Sequence, residues 1–255
     1  MKFITKDFGN LDYAYVLPLG DMHIGDPAFD SKKFIKLRDW ILENPNVYVI
    51  LVGDILNCAI KSSKSEIYNE LMNPQQAKKY ALELLLPIKE RIIGMVAGNH
   101  EYRIYRESGT DISEDIADRL DVPYDMDGLL LNMKFDPYPE LRKGKINYTA
   151  YVSHGFGGGG TKGAKINAVS KLSNIVLADI YVTGHVHFMT TFKDSFFIPD
   201  TRNGKIDKVT RTFVSAGSFL SWGGYAERMS LAPAKLGTPR IRLAGSGKKD
   251  VHVSI

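Results

Sequence analysis

The chain has 255 residues, a formal net charge of +4, 44% hydrophobic and 24% charged residues, and one cysteine. Such a composition suits a soluble globular protein long enough to bury a sizeable core. It excludes a disulfide framework and a thiolate zinc cluster, and no stretch approaches the roughly 18 apolar residues that span a bilayer.

In chain order, the N-terminal "MKFITKDFGNLDYAY" carries scattered charges and lacks the apolar core of a signal peptide, so the expected location is a reducing cytoplasm. "YAYVLPLGD" (13–21) reads as a strand. Residues 31–43 follow as a helix with Phe34, Leu37, Trp40 and Ile41 on one face, stopped by Asn44-Pro45. "VYVILVGD" (47–54) is a continuous apolar run of the kind buried on both faces in a parallel sheet. Cys58 close behind it reads as a small, partly buried filler. Asn73-Pro74 looks like an N-cap followed by proline at the first helical position, opening a helix to about Arg91. "IIGMVAG" (92–98) is a third strand, and residues 111–120 a short amphipathic helix with Ile112, Ile116 and Leu120 four apart.

"LLLNMKF" and "INYTAYVSHG" form a strand pair joined by a Pro- and Lys-rich turn. "GAKINAVSKLSNIVLA" is then a helix and "DIYVTGH" a strand. From residue 188 onward strands dominate, with a hairpin turn at Asn203-Gly204. Strand–helix alternation followed by a β-rich part predicts an α/β fold of two stacked mixed sheets flanked by helices, as one domain over 1–255. Charge is segregated. Seven acids and Arg119 occupy 110–127; six bases (Arg228, Lys235, Arg240, Arg242, Lys248, Lys249) and no acid occupy 228–249. That pattern permits a polyanionic partner, and it equally fits solvated faces of opposite sign.

Of the six histidines, five (His23, His100, His154, His185, His187) sit at or just past the end of an expected strand, in "GDMHIGD", "GNHEYR", "SHGFGGGG" and "GHVHF". Asp54 in "VGDILN" is placed likewise. Crevices outside the carboxyl ends of strands are where α/β sheets gather ligand-binding groups. His252, alternating with Val251, Val253 and Ile255, reads as a solvent-facing strand residue. Asp, His and Asn without cysteine suit Mn²⁺, Fe, Zn²⁺ or Ni²⁺. Asp21, His23, Asp54, Asn99, His154, His185 and His187 are too many ligand types for one tetrahedral ion, and enough for two if one carboxylate bridges. The amide of Asn99 would be a neutral ligand that limits the site's negative charge.

The ordered motifs Asp21-x-His23, Gly53-Asp54-x-x-Asn57, Gly98-Asn99-His100-Glu101, His154-Gly155 and Gly184-His185-x-His187 resemble the calcineurin-like metallophosphoesterase superfamily over residues 13 to 188. The resemblance implies a four-layer αββα sandwich and a role for each position. Asp21, His23, Asp54 and His187 would hold one of two divalent ions, manganese foremost; Asp54, Asn99, His154 and His185 would hold the other. His100 would stand over the leaving-group oxygen, pointing away from Asn99 because consecutive side chains on an extended segment alternate. Asn57, where the family often has aspartate, and Glu101 would brace the ligands from behind. Asp26 reads as a turn or supporting acid. The implied reaction is in-line attack on phosphorus by a metal-bridging hydroxide, with His100 protonating the departing oxygen.

For the substrate, a phosphodiester in nucleic acid or a nucleotide is the first expectation. Lys162 and Lys165 of the Gly-rich segment 155–165 would supply anion contacts, with Phe219, Trp222 and Tyr225 to stack bases. Each has a plainer alternative: a loop that moves aside, and aromatics that pack. Arg103 fits a phosphate clamp or a pair with an acid equally. The rival activities are a phosphomonoesterase and, from another class, a non-catalytic scaffold that should lack ligands. No oligomeric state can be read.

Overall fold

The structure, a computed structural model, describes residues 1–61, 63, 67–137, 144–157, 159–228 and 230–255, with Tyr225 described for its backbone only. Among the described residues the strands form two six-stranded mixed sheets. One runs β1 (Lys2–Asp7), β6 (Leu129–Phe135), β7 (Ile146–Ser153), β8 (Ile180–Thr183), β10 (Lys205–Ser215), β9 (Thr190–Asp200). The other runs β12 (Val251–Ser254), β11 (Arg240–Ala244), β2 (Tyr13–Leu19), β3 (Val47–Leu51), β4 (Ile92–Val96), β5 (Tyr124–Asp125).

Three apolar layers follow from the strand patterns. Val16, Ile50, Val52 and Val96 meet Leu129, Leu131, Tyr148, Val152 and Val182 between the sheets. Leu17, Leu19, Val49 and Leu51 on the opposite face meet Phe34, Ile41, Ala81 and Ile116 of three helices: α1 (Ser31–Glu43), α2 (Pro74–Leu85) and α4 (Ile112–Leu120). Tyr151, Tyr181 and Phe213 on the outer face of the first sheet pack on Val169 of α5 (Lys162–Ser170). β3 lies between β2 and β4 in parallel register, so both of its faces are covered, as its unbroken apolar run requires.

Sequence and structure agree closely at α1, whose N-cap Asp30 accepts from the Lys33 N–H at 2.9 Å. They agree at the start of α2, where Asn73 and Gln76 form a reciprocal capping box around Pro74. The expected helix to Arg91 ends earlier. Pro87 has no N–H to give, and residues 86–91 tighten into a 3₁₀ helix. The helix expected from 163 likewise stops at Ser170 and continues as 3₁₀ turns. The hairpin after β9 is a four-residue loop, since Asp200 pairs with Lys205; of Asn203 and Gly204 only the glycine has positive φ (61°). Residues 138–143 of the turn expected between β6 and β7 lie outside the described residues, while the two strands pair antiparallel as expected. His252 is exposed on β12.

The acidic segment resolves into local roles. Asp111 caps α4, Asp115 pairs with Lys78 and Arg119, and Asp125 accepts from the Gly128 N–H and faces the N-terminal amine. No described helix is long and apolar enough to cross a membrane.

Candidate metal centre

The seven ligand-type residues come from the C-terminal ends of five strands spread over both sheets. Asp21 and His23 follow β2, Asp54 follows β3, Asn99 follows β4, His154 follows β7, and His185 and His187 follow β8. The backbone there is unusual. Asp21, His23, Asp54, His185 and His187 all have φ between 47° and 68°, the left-handed region that residues with a Cβ rarely adopt. Such conformations persist where the surroundings impose them and cluster at functional sites. Here the imposing contacts are visible: Asp21 N–H donates to Gly53 O, His23 N–H to Asp54 O, and His185 N–H to the Asp21 carboxylate at 2.9 Å.

Two donor groups result, Asp21–His23–Asp54–His187 and Asp54–His154–His185, each with its ligand atoms within 4.8 Å of one another and Asp54 in both. In the first, His23 Nε2 lies 3.0 Å from His187 Nε2 and 3.7 Å from Asp54 Oδ2, and His187 Nε2 lies 3.2 Å from Asp21 Oδ1. In the second, His154 Nε2 is 3.3 Å from Asp54 Oδ2, and Asn99 Oδ1 is 3.1 Å from His154 Nε2 and 2.7 Å from His185 Nδ1. The outward nitrogens are occupied elsewhere. His154 Nδ1 is 2.8 Å from Val52 O and His23 Nδ1 is 3.2 Å from Asn57 Oδ1, which sets their inward Nε2 atoms as lone-pair donors.

Electrostatics match this geometry. Burial works to raise the Asp54 carboxyl, but His154, His100 and His23 outweigh it and hold the group well below the usual carboxylate range. Burial opposes charge on His154, yet Asp54 beside it raises the imidazole to about 10. Burial and neighbouring His100 hold His23 well below its ordinary value.

The profile of the calcineurin-like phosphoesterase family matches residues 16–189. The chain belongs to that family. A solved structure of a conserved uncharacterized protein from Streptococcus pneumoniae, described as a predicted phosphoesterase, is 14% identical with a TM-score of 0.39, covering 91% of this chain and 84% of its own. No curated protein matches the chain significantly.

One expectation about this phosphoesterase is corrected. Asn99 and His100 are not on an extended segment; they open helix α3 (Asn99–Ser108). Their side chains still diverge, by the roughly 100° that separates consecutive residues on a helix. Asn99 turns to His154 and His185. His100 turns to the first group, with Nδ1 2.8 Å from Asn57 O and Nε2 3.8 Å from Asp54 Oδ2. The signal for that helix is Glu101 at its third position, whose carboxylate accepts from Gly98 N–H (3.0 Å), Asp54 N–H (3.1 Å) and Leu56 N–H (2.7 Å). Burial and the Asp54 charge push Glu101 up to about 7.

Arg103 makes no ion pair within 4.0 Å among the described residues, and its Nη1 is buried without a hydrogen-bond partner, while the carboxylates of Asp54, Glu101 and Glu70 act on it from further off. Lys162 and Lys165 place their ammonium groups 6.0 and 5.9 Å from the ring of Phe188, the neighbour of His187. Phe219 is buried, edge-on to Phe34 at 5.6 Å, and cannot stack a base. Trp222 is half exposed and donates Nε1–H to Leu231 O; the side chain of Tyr225 lies outside the described residues. Asp26 closes a turn by accepting the Ala28 N–H. Two supports had no sequence signal: Glu70, which accepts from the Asn57 amide, and Ser218, whose Oγ donates to Asp21 O at 3.0 Å. Both reach the site from distant loops.

Proposed function

We propose that this chain is a dinuclear metal-dependent phosphodiesterase acting on nucleic acid or nucleotides. The observation that carries the reading is the pair of donor groups sharing Asp54. The residues fit the ions. His23 Nε2 and His187 Nε2 face each other at 3.0 Å, an arrangement that two neutral imidazoles tolerate only with a cation or proton between them. The nitrogen and oxygen donors, with no thiolate, suit Mn²⁺ and also Fe, Zn²⁺ or Ni²⁺. Asp21, His23, Asp54 and His187 would hold one ion, and Asp54, Asn99, His154 and His185 the other. Bound there, two ions supply Lewis acidity at the phosphoryl oxygens and a lowered water pKa.

The remaining work falls to the chain's own side chains. With Nδ1–H donated to Asn57 O, His100 gives a proton from Nε2 to the departing oxygen as the imidazolium, the form that burial disfavours and the Asp54 carboxylate favours. Lys162 and Lys165, against Phe188, supply positive charge beside His187, and Arg103 adds an unpaired guanidinium one helical turn past His100. The test is a screen of protein loaded with Mn²⁺, Fe²⁺, Zn²⁺ or Ni²⁺ against aryl phosphate mono- and diesters and single- and double-stranded DNA and RNA. Diesters should turn over faster than monoesters. A monoester preference would replace the reading with a phosphatase, and inactivity under every metal would favour a binding scaffold.

A further inference from the structure

A second group of cationic side chains lines a cavity whose walls are hydrogen-bonded to the Asp21 segment. The cavity, of about 400 Å³, opens between α1 and the start of β11, within the range of ligand clefts. Lys33, Lys235 and Arg240 line it, and no acidic side chain does. None of the three has an ion-pair partner among the described residues. Arg240 sits over the Trp40 ring, its guanidinium carbon 4.5 Å from the ring centre, a cation–π contact that uses the ring face and leaves N–H groups free to donate. Leu37, Met189, Phe219, Leu236 and Ile255 form the apolar part of the wall, and Thr238 and Ser254 are its uncharged polar side chains.

The cavity is built onto the metal centre. Met189 is two residues past His187. Phe219, which closes the floor, donates its N–H to Asp21 O at 3.2 Å. The strap carrying Lys235 is tied to Ser218 O through the Gly237 N–H at 2.9 Å, and Ser218 Oγ in turn donates to Asp21 O. Thr238 Oγ1 donates to Pro18 O near the end of β2. Gly217 is required for this approach, since a Cβ there would lie 2.1 Å from Gly237 O.

We infer that this cleft is a nucleotide subsite, taking a phosphate-bearing unit of a single-stranded polynucleotide next to the metal centre. Three unpaired cations meet the phosphate, and the apolar wall meets the base or sugar. A phosphorylated peptide would satisfy the cations and leave that wall uncovered. The inference rests on the phosphodiesterase reading for what the bound strand is used for; binding itself needs no turnover.

The experiment follows the anisotropy of a fluorescein-labelled oligothymidylate of about twelve nucleotides with EDTA-treated protein, across a salt series. K33E/K235E should weaken binding at least tenfold and flatten the slope of log K against log salt by about 1.4, two contacts at roughly 0.7 each for single strands. K33R/K235R should restore both, and equal melting temperatures exclude misfolding. Unchanged affinity in K33E/K235E overturns the subsite. So does a phosphoserine peptide of equal charge that competes as well as the oligonucleotide. Wild-type protein that cleaves aryl diesters and does not bind the strand overturns the subsite alone. Binding that persists in protein inactive with every metal overturns the enzymatic reading alone.

Discussion

His100 and Asn57 show how a single side chain is set by its neighbours. With Nδ1 on Asn57 O, His100 directs Nε2 toward Asp54 without joining either donor group. His100→Asn should therefore keep its metal content by elemental analysis while losing about 10²–10⁴-fold on substrates with an alkoxide leaving group. The loss on aryl phosphoesters, whose phenolate leaves with little need of a proton, should be much smaller. Depleted metal, or equal losses on both, would refute the proton-donor role. Asn57 accepts from His23 Nδ1 and donates its amide to Glu70, so the aspartate more frequent in the family would set two carboxylates together here. Asn57→Asp should cost about 1–3 kcal/mol in denaturant unfolding, and Glu70→Gln in the same chain should recover most of it; no recovery would break the proposed coupling.

At the scale of elements, the turns after β3 and β4 converge on two glycines. A Cβ on Gly53 would lie 2.6 Å from Gly98 N, and one on Gly98 would lie 2.1 Å from both Asp54 N and Asp54 Oδ1. This contact lets Asp54 and α3 share Glu101, whose carboxylate accepts from both turns. Gly98→Ala must push the two turns apart. The expected result is a loss of about 1–3 kcal/mol in stability together with reduced metal loading, read by calorimetry with and without Mn²⁺. Normal loading in Gly98→Ala would show that the turns can separate without disturbing Asp54.

For the whole molecule, the candidate metal centre lies on a seam. Asp21, Asp54 and Asn99 belong to one sheet, and His154, His185 and His187 to the other, so bound ions should tie the sheets together. About two Mn²⁺ per chain should bind, each adding about 2.7 kcal/mol of stability at a hundredfold excess over its Kd. Asp54→Ala should weaken both sites, and a single ion unaffected by that change would sink the dinuclear reading. The pH dependence has a definite sign. Ligands must be deprotonated to bind metal; against the opposing effect of burial, Asp54 holds His154 at about 10, and Asp21, with Asp54, raises His187. Mn²⁺ affinity should therefore rise with pH and each binding event should release protons, measurable by titration calorimetry in buffers of different ionisation enthalpy.

The sequence by itself determined the elements that local chemistry encodes. Asp30 and Asn73 announce α1 and α2 because capping is a contact within one turn of chain. The apolar run 47–51 announces a strand covered on both sides. The ordered Asp, Asn and His motifs at strand ends announced the family and named the seven residues that converge. The tertiary structure decided what depends on groups far apart in sequence. β1, with exposed and half-buried residues at a sheet edge, is specified by pairing with β6 more than 120 residues away. Helix α3 follows directly on a strand with a glycine cap, and Glu101 is drawn there by backbone groups of Asp54 and Leu56. Phe219, legible as an aromatic near a basic stretch, went to the core because Phe34 awaited it. Lys33 and Lys235 share one cavity because the strap carrying Lys235 hydrogen-bonds to Ser218, which in turn bonds to Asp21 of the other sheet. Pairings of this kind arise from long-range packing, which leaves no local periodicity for a sequence to display.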